Sequence, residues 1–292
     1  MADVVLAAVP TPFAADGSLD LACARRLYEF YADRVDGLLV AGTTGEFPAL
    51  TEDERLVLID TAIDVLGPDR IIAHIGAADA YQAVRLAREA SMLGASRIAA
   101  ITPYYLAASP AEVTEYYLRI REAAPEPGLY AYIFPERTGL TVAPQQFCEL
   151  ADAVGLAGAK FSGVAVRNVA ECAAALPGVR IFSGDDTDLA ATLRAGGAGI
   201  ISARASAYPE VFSGLSAAIA AAAGDPAGGG AVAARQADVS AIVGLGQSIG
   251  LVKEALRVRG FGPMRARMAV AEPDAATAAR VAELVKSLTP DA

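Results

Sequence analysis

Lys160 has the clearest chemical potential of any residue in this 292-residue chain. Only Lys160, Lys253 and Lys286 are lysines, so Arg supplies the other 21 of the 24 basic residues. Lys160 follows the apolar run 155–159 and precedes Phe161. Lysine is rarely buried without a reason. Desolvation disfavours a charged amine, and a neutral amine is the nucleophile that forms a Schiff base with a carbonyl. The competing reading is a lysine that snorkels from a strand end to solvent. Other residues could complete such a site. Tyr132 could pass protons, since a phenol donates and accepts, or it could be a core tyrosine. Gly42-Thr43-Thr44-Gly45 packs backbone N–H groups and two hydroxyls into a tight turn, which could hold a small anion or merely connect two elements. Arg137 could grip a carboxylate with its planar fork, or make a surface ion pair. Asp185-Asp186 could bind hydroxyls or cap a helix. Tyr104-Tyr105 reads as a surface or subunit contact, and His74, within 71–75, as a hydrogen-bonded core histidine.

Composition removes other chemistries. One His cannot build a His₃ or His₂-carboxylate metal site, and any Ser-His-Asp scheme would have to use His74. No metal site is expected. The 34 acidic residues give a net charge of −10, with no basic stripe for nucleic acid or an anionic membrane. Cys23, Cys148 and Cys172 are odd in number and widely spaced, as reduced thiols are. Met1-Ala2-Asp3 lacks the basic region of a signal peptide, and the Ala-rich stretch 217–223 is too short to span a bilayer. A cytoplasmic location is expected.

These residues need elements to position them. Short apolar runs at 4–9, 37–41, 70–75, 97–101, 129–134, 156–160, 179–182 and 199–202 read as strands. Amphipathic segments at 21–35, 52–66, 81–93, 111–123, 144–153, 166–175, 188–195 and 209–222 read as helices between them. Thr51 with Glu54 forms a capping-box pattern, and Ser109-Pro110 opens the fourth helix. Eight strand–helix pairs predict an α/β fold, a (β/α)₈ TIM barrel over 1–224, with a doubly wound sheet as the alternative. The segment 225–230 reads as a linker. Helices at 231–243, 251–258 and 275–288 form a C-terminal helical extension over 225–292, packed on the barrel. Barrel sites lie at the C-terminal ends of the strands, and all the candidate residues fall there.

At these positions the sequence resembles the dihydrodipicolinate synthase / N-acetylneuraminate lyase family of class I pyruvate-dependent aldolases. The matching segments are Gly42-Thr43-Thr44-Gly45-Glu46, Thr102-Pro103-Tyr104-Tyr105, Tyr132 with Pro135 and Arg137-Thr138-Gly139, Gly158-Ala159-Lys160, and Ser183-Gly184-Asp185-Asp186. The resemblance implies a lyase that forms an imine between Lys160 and pyruvate or a 2-keto-3-deoxy acid. Tyr132, Thr43 and Tyr105 would relay protons, with Tyr105 supplied by a neighbouring subunit of a homotetramer, a dimer of dimers. Thr44, Gly42, Arg137, Ser162, Asp185 and Ser202 would contact substrate. Alternatives within the resemblance are 4-hydroxy-tetrahydrodipicolinate synthase proper, condensing pyruvate with aspartate semialdehyde, and a sugar-acid dehydratase. A catalytically silent keto-acid-binding barrel is the alternative outside enzymes. The pattern departs from the family at Ile133 and Phe161, where polar residues are usual, which predicts a more apolar second-substrate pocket. Ala78 and Gln82 do not match the residues that bind inhibitory lysine. Tyr208-Pro209-Glu210 resembles the sugar-acid aldolases, whereas Arg137 resembles the synthase branch.

Overall fold

A computed structural model describes residues 4–223 and 229–288. Eight parallel strands close into a barrel in sequence order: β1 Val5–Ala8, β2 Gly37–Val40, β3 Ile71–His74, β4 Arg97–Ile101, β5 Gly128–Ile133, β6 Gly158–Phe161, β7 Arg180–Ser183 and β8 Gly199–Ser202. The expected strands are all present, within one or two residues of their expected limits, and the doubly wound alternative is excluded by the β1–β8 pairing. Helices α1 Leu21–Tyr31, α2 Glu52–Leu66, α3 Ala80–Met92, α4 Pro110–Ala123, the short α5 Pro135–Thr138, α6 Pro144–Val154, α7 Val169–Ala175, α8 Leu189–Arg194 and α9 Pro209–Ala222 surround it. The capping box of α2 forms as its sequence predicts. Thr51 Oγ1 accepts from the Glu54 N–H at 3.1 Å, and Glu54 Oε2 accepts from the Thr51 N–H at 2.9 Å.

Side-chain alternation divides the strands into two faces. Leu6, Ala8, Leu39, Ile72, Ala99, Tyr130, Phe182 and Ile201 pack together inside the barrel. Their neighbours Ala7, Leu38, Ala73, Ala131, Ala159, Ile181 and Ile200 face the helices in the larger core. Gly158 has a steric role. A Cβ at this position would overlap the Tyr130 ring and the Arg180 carbonyl, so only glycine lets Tyr130 lie across the barrel. Tyr130 then forms the floor beneath the next inward layer, which holds His74, Ile101, Tyr132 and Lys160.

Helices α10 Gly229–Val243, α11 Ile249–Val258 and α12 Ala275–Leu288 follow the barrel. Helix α10 packs against α9, and α11 against α12. Their buried residues Val239, Ile242, Val252, Leu256 and Val281 belong to the same core as the helix-facing side of the barrel. The expected linker and the boundary between 224 and 225 lie mostly outside the described residues, and Gly229 and Gly230 open α10 rather than a loop. Among the described residues, no helix is long and apolar enough to cross a membrane.

Candidate functional site

Tyr132 and Lys160 are register partners on β5 and β6, both on the inward face. Lys160 Nζ lies 4.9 Å from the centroid of the Tyr132 ring. Lys160 is only 9% exposed and does not snorkel to open solvent. The Thr43 hydroxyl reaches the Tyr132 hydroxyl at 3.4 Å, long for a bond between hydroxyls. A cavity of about 140 Å³ opens beside these groups, lined at its base by Thr43, Thr44, Tyr132 and Lys160.

The turn that carries Thr43 and Thr44 is bracketed by two non-glycine residues in the left-handed region, Ala41 at φ +55° and Glu46 at φ +57°. Such conformations persist only where surrounding contacts impose them. The Glu46 N–H donates to Thr43 O at 3.0 Å, the Phe47 N–H to Gly42 O at 3.3 Å, and Thr11 Oγ1 to Gly45 O at 2.7 Å. The N–H groups of Thr44 and Gly45 donate to no acceptor among the described residues. Free N–H groups beside two hydroxyls are the donors an anion-binding concavity needs, and of this turn Thr43 and Thr44 line the cavity.

His74 braces this turn from below. Its Nδ1 lies 3.0 Å from Ala41 O, and its Nε2 accepts the Ile101 N–H at 3.3 Å. The Ile101 N–H can only donate and Ala41 O can only accept, which assigns the neutral Nδ1–H tautomer, with Arg55 Nη2 also 3.3 Å from Nδ1. Burial holds the imidazole well below its ordinary pKa, and the neighbouring Arg55 cation adds to the effect. Arg55 donates to His74 O at 2.7 Å, and burial lowers its own pKa to about 10. His74 is thus a hydrogen-bonded core residue, as its position in a strand suggests, but its partners are the supports of the site.

Strand alternation decides which of the other candidates reach the cavity. Ser162, two residues beyond Lys160, lines it. Arg137 stands exposed at its mouth, its guanidinium 5.5 Å from the Phe134 ring centroid, with no ion pair among the described residues. Asp185 does not line the cavity. It turns outward and accepts from Thr187 N–H and Oγ1, at 2.8 and 2.7 Å. Asp186, in phase with Phe182 and Gly184, takes the inward place and pairs with Arg204. Ser202 is likewise out of phase. Ile201 and Ala203 line the cavity, while Ser202 Oγ accepts the Ala205 N–H at 2.9 Å. Gly42 shapes the turn through its carbonyl and does not line the cavity. Tyr105 is 93% exposed, at φ +80°, and stands away from the Thr43–Tyr132 pair of its own chain.

The apolar pocket expected from Ile133 and Phe161 has a different origin. Both side chains face the helices, with Phe161 meeting Phe147 edge to face at 4.9 Å between centroids. The apolar wall comes from Phe134, from Ile242, Ile249, Leu251 and Val252 of the C-terminal helices, and from Leu245 in the turn between α10 and α11. Arg204, Tyr208, Gln247 and Ser248 complete the lining, and none was among the expected substrate contacts. Phase within a strand could have indicated Phe134 and Asp186; no local signal marks the residues of 242–252.

The sequence model of the Dihydrodipicolinate synthetase family matches residues 1–288. A 4-hydroxy-tetrahydrodipicolinate synthase of Caldicellulosiruptor bescii is 35% identical over 205 residues, covering 70% of this chain and 69% of that one. An uncharacterised DapA-like lyase of Halobacterium salinarum is 33% identical over 289 residues, covering 96% and 93%. The crystal structure of YagE from Escherichia coli K12, a dihydrodipicolinic acid synthase family protein in complex with pyruvate, superposes with a TM-score of 0.87 at 27% identity, covering 98% of each chain.

Proposed function

The chain belongs to the dihydrodipicolinate synthetase family, and from that premise we propose that it is a Schiff-base-forming class I lyase acting through Lys160 on pyruvate or a 2-keto-3-deoxy acid. The observation that carries this reading is the inward, mostly buried amine of Lys160 beside the Tyr132 ring, with Thr43 on the Tyr132 hydroxyl. The amine attacks C2 of the keto acid, and loss of water leaves an iminium. The iminium draws electrons from C3, so a C3 proton departs and an enamine forms. The enamine attacks an aldehyde carbon, forming the C3–C4 bond, and Tyr132 gives a proton to the new alkoxide. Hydrolysis of the iminium releases product and restores Lys160. The reverse sequence cleaves the same bond.

Thr44 and the free N–H groups of the turn suit the keto acid's carboxylate. Arg137, at the mouth, suits a carboxylate on the second substrate, which keeps condensation of pyruvate with aspartate semialdehyde as a second reading. Ser162 and Asp186 suit hydroxyls of a sugar-acid tail. Tyr105 would complete the proton relay only from a neighbouring copy, so its exposure supports a homotetramer of paired subunits. Lys160 itself supplies the electron sink, so no cofactor is required, and the enzyme would work in the cytoplasm.

Incubation with pyruvate and borohydride, followed by peptide mass spectrometry, tests the reading. The expected result is a reduced pyruvate adduct on Lys160. An unmodified Lys160, under conditions that label an aldolase of this type, would exclude imine chemistry. A panel of aldehydes and 2-keto-3-deoxy acids then separates the substrate readings.

A further inference from the structure

Lys253 is the second of the three lysines, and the reaction outlined above gives it no part. It lies on α11, on the helix turn whose neighbouring residues Leu251 and Val252 line the cavity. Its side chain is almost wholly buried, and its ammonium pairs with the fully buried carboxylate of Glu46. It also donates to Arg265 O at 2.6 Å and sits 4.7 Å from the Phe13 ring centroid. The other carboxylate oxygen of Glu46 accepts the N–H groups of Arg267 and Met268, at 2.9 and 2.8 Å. Three donors from the C-terminal segment therefore converge on one carboxylate. Through its backbone, Glu46 holds the Thr43 carbonyl at 3.0 Å and sits in the left-handed region.

We propose that Glu46 and Lys253 are positioning residues that fix the Thr43-Thr44 turn to the C-terminal helices, holding its free N–H groups and hydroxyls in place relative to Lys160. The geometry connects the two without a gap. Displacing the Glu46 side chain moves the residue whose N–H closes the turn, two residues from Thr44. The same displacement frees Lys253, and with it the cavity wall at Leu251 and Val252. The C-terminal helices thus hold the keto-acid subsite in register with the amine, as well as enclosing the substrate. Neither residue touches substrate.

This inference rests on the Schiff-base reading, and the test separates the two. The double variant Glu46→Gln/Lys253→Met removes both charges. Gln retains an acceptor for the Arg267 and Met268 N–H groups, and Met retains the buried stem. Wild type and variant are compared by thermal unfolding, by steady-state kinetics with pyruvate, and by borohydride trapping at varied pyruvate. The expected result is a folded variant whose KM for pyruvate rises at least tenfold, while trapping on Lys160 still reaches completion at saturating pyruvate. A purely structural pair would lower the melting temperature and leave KM within twofold of wild type, which overturns the proposal. Should the double variant not fold, Lys253→Arg, which keeps the charge, takes its place. A threefold or larger rise in KM upholds the proposal, and a change under twofold overturns it. Failure of the wild type to trap pyruvate would instead overturn the Schiff-base reading.

Discussion

Because His74 is the only histidine, a difference between wild type and a His74 variant isolates one imidazole. The native imidazole is neutral, held well below its ordinary pKa first by burial and then by Arg55. The unfolded chain takes up a proton near pH 6.5, while the native state does not. Below that pH the unfolded state binds more protons, so stability falls as pH falls. Between pH 7.5 and 5.5 the loss attributable to His74 is roughly 1.4 kcal/mol. His74→Asn keeps a donor for Ala41 O and removes the titration. It also leaves the Ile101 N–H without its acceptor, which costs about 1–3 kcal/mol at any pH. Urea unfolding of both proteins at the two pH values measures both effects. The variant should be the less stable at pH 7.5, and the gap should narrow by about 1.4 kcal/mol at pH 5.5. Carboxylate titrations occur in both proteins and cancel in the difference. An unchanged gap would mean that the imidazole titrates alike in both states, which would refute the neutral, clamped tautomer and its support of the turn.

Removing the Tyr132 hydroxyl, as Tyr132→Phe, should lower kcat by about 10²-fold or more while slower borohydride trapping on Lys160 persists, as steady-state and single-turnover assays would show. Ser162→Ala should change KM for the aldehyde or sugar-acid partner. Ser202→Ala should leave kinetics as they are and cost about 1 kcal/mol in urea unfolding, since among the described residues Ser202 Oγ serves the Ala205 N–H alone. Gly158→Ala should destabilise by about 1–3 kcal/mol, because its methyl group overlaps the Tyr130 ring and the Arg180 carbonyl. Calorimetry should then show the melting temperature falling by several degrees.

The strand ends were legible in the sequence, but the direction of each side chain was not, for a physical reason. A parallel barrel buries both faces of its strands, so the runs read as continuous apolar segments without the alternation that would reveal phase. Lys160 escapes this ambiguity because a charged side chain at the end of such a run has a low-cost place only at the open end of the barrel. Tyr132 shares its register, and Ser162 follows two residues on. At Asp185 and Ser202 nothing local separates inside from outside, and both are one residue out of phase with the cavity. The same single-residue shift turns Ile133 and Phe161 away from the pocket their composition suggested.

The missing half of the site has another cause. Helix periodicity locates α10 and α11, but the pairing of Lys253 with Glu46 spans 207 positions of sequence and leaves no local trace. One clue was available. Lys253 is a lone lysine flanked by apolar Val252, on a helix whose buried face includes Val252, Ala255 and Leu256. A lysine on that face requires a buried carboxylate. The motif Gly42-Thr43-Thr44-Gly45-Glu46 ends in an acid for which the imine reaction has no use. Matching the unassigned acid with the unassigned amine would have joined the C-terminal helices to the turn before any coordinates. In a chain with so few lysines, the two buried ones are the amine proposed as nucleophile and the amine paired with Glu46 at the end of the Thr43-Thr44 turn.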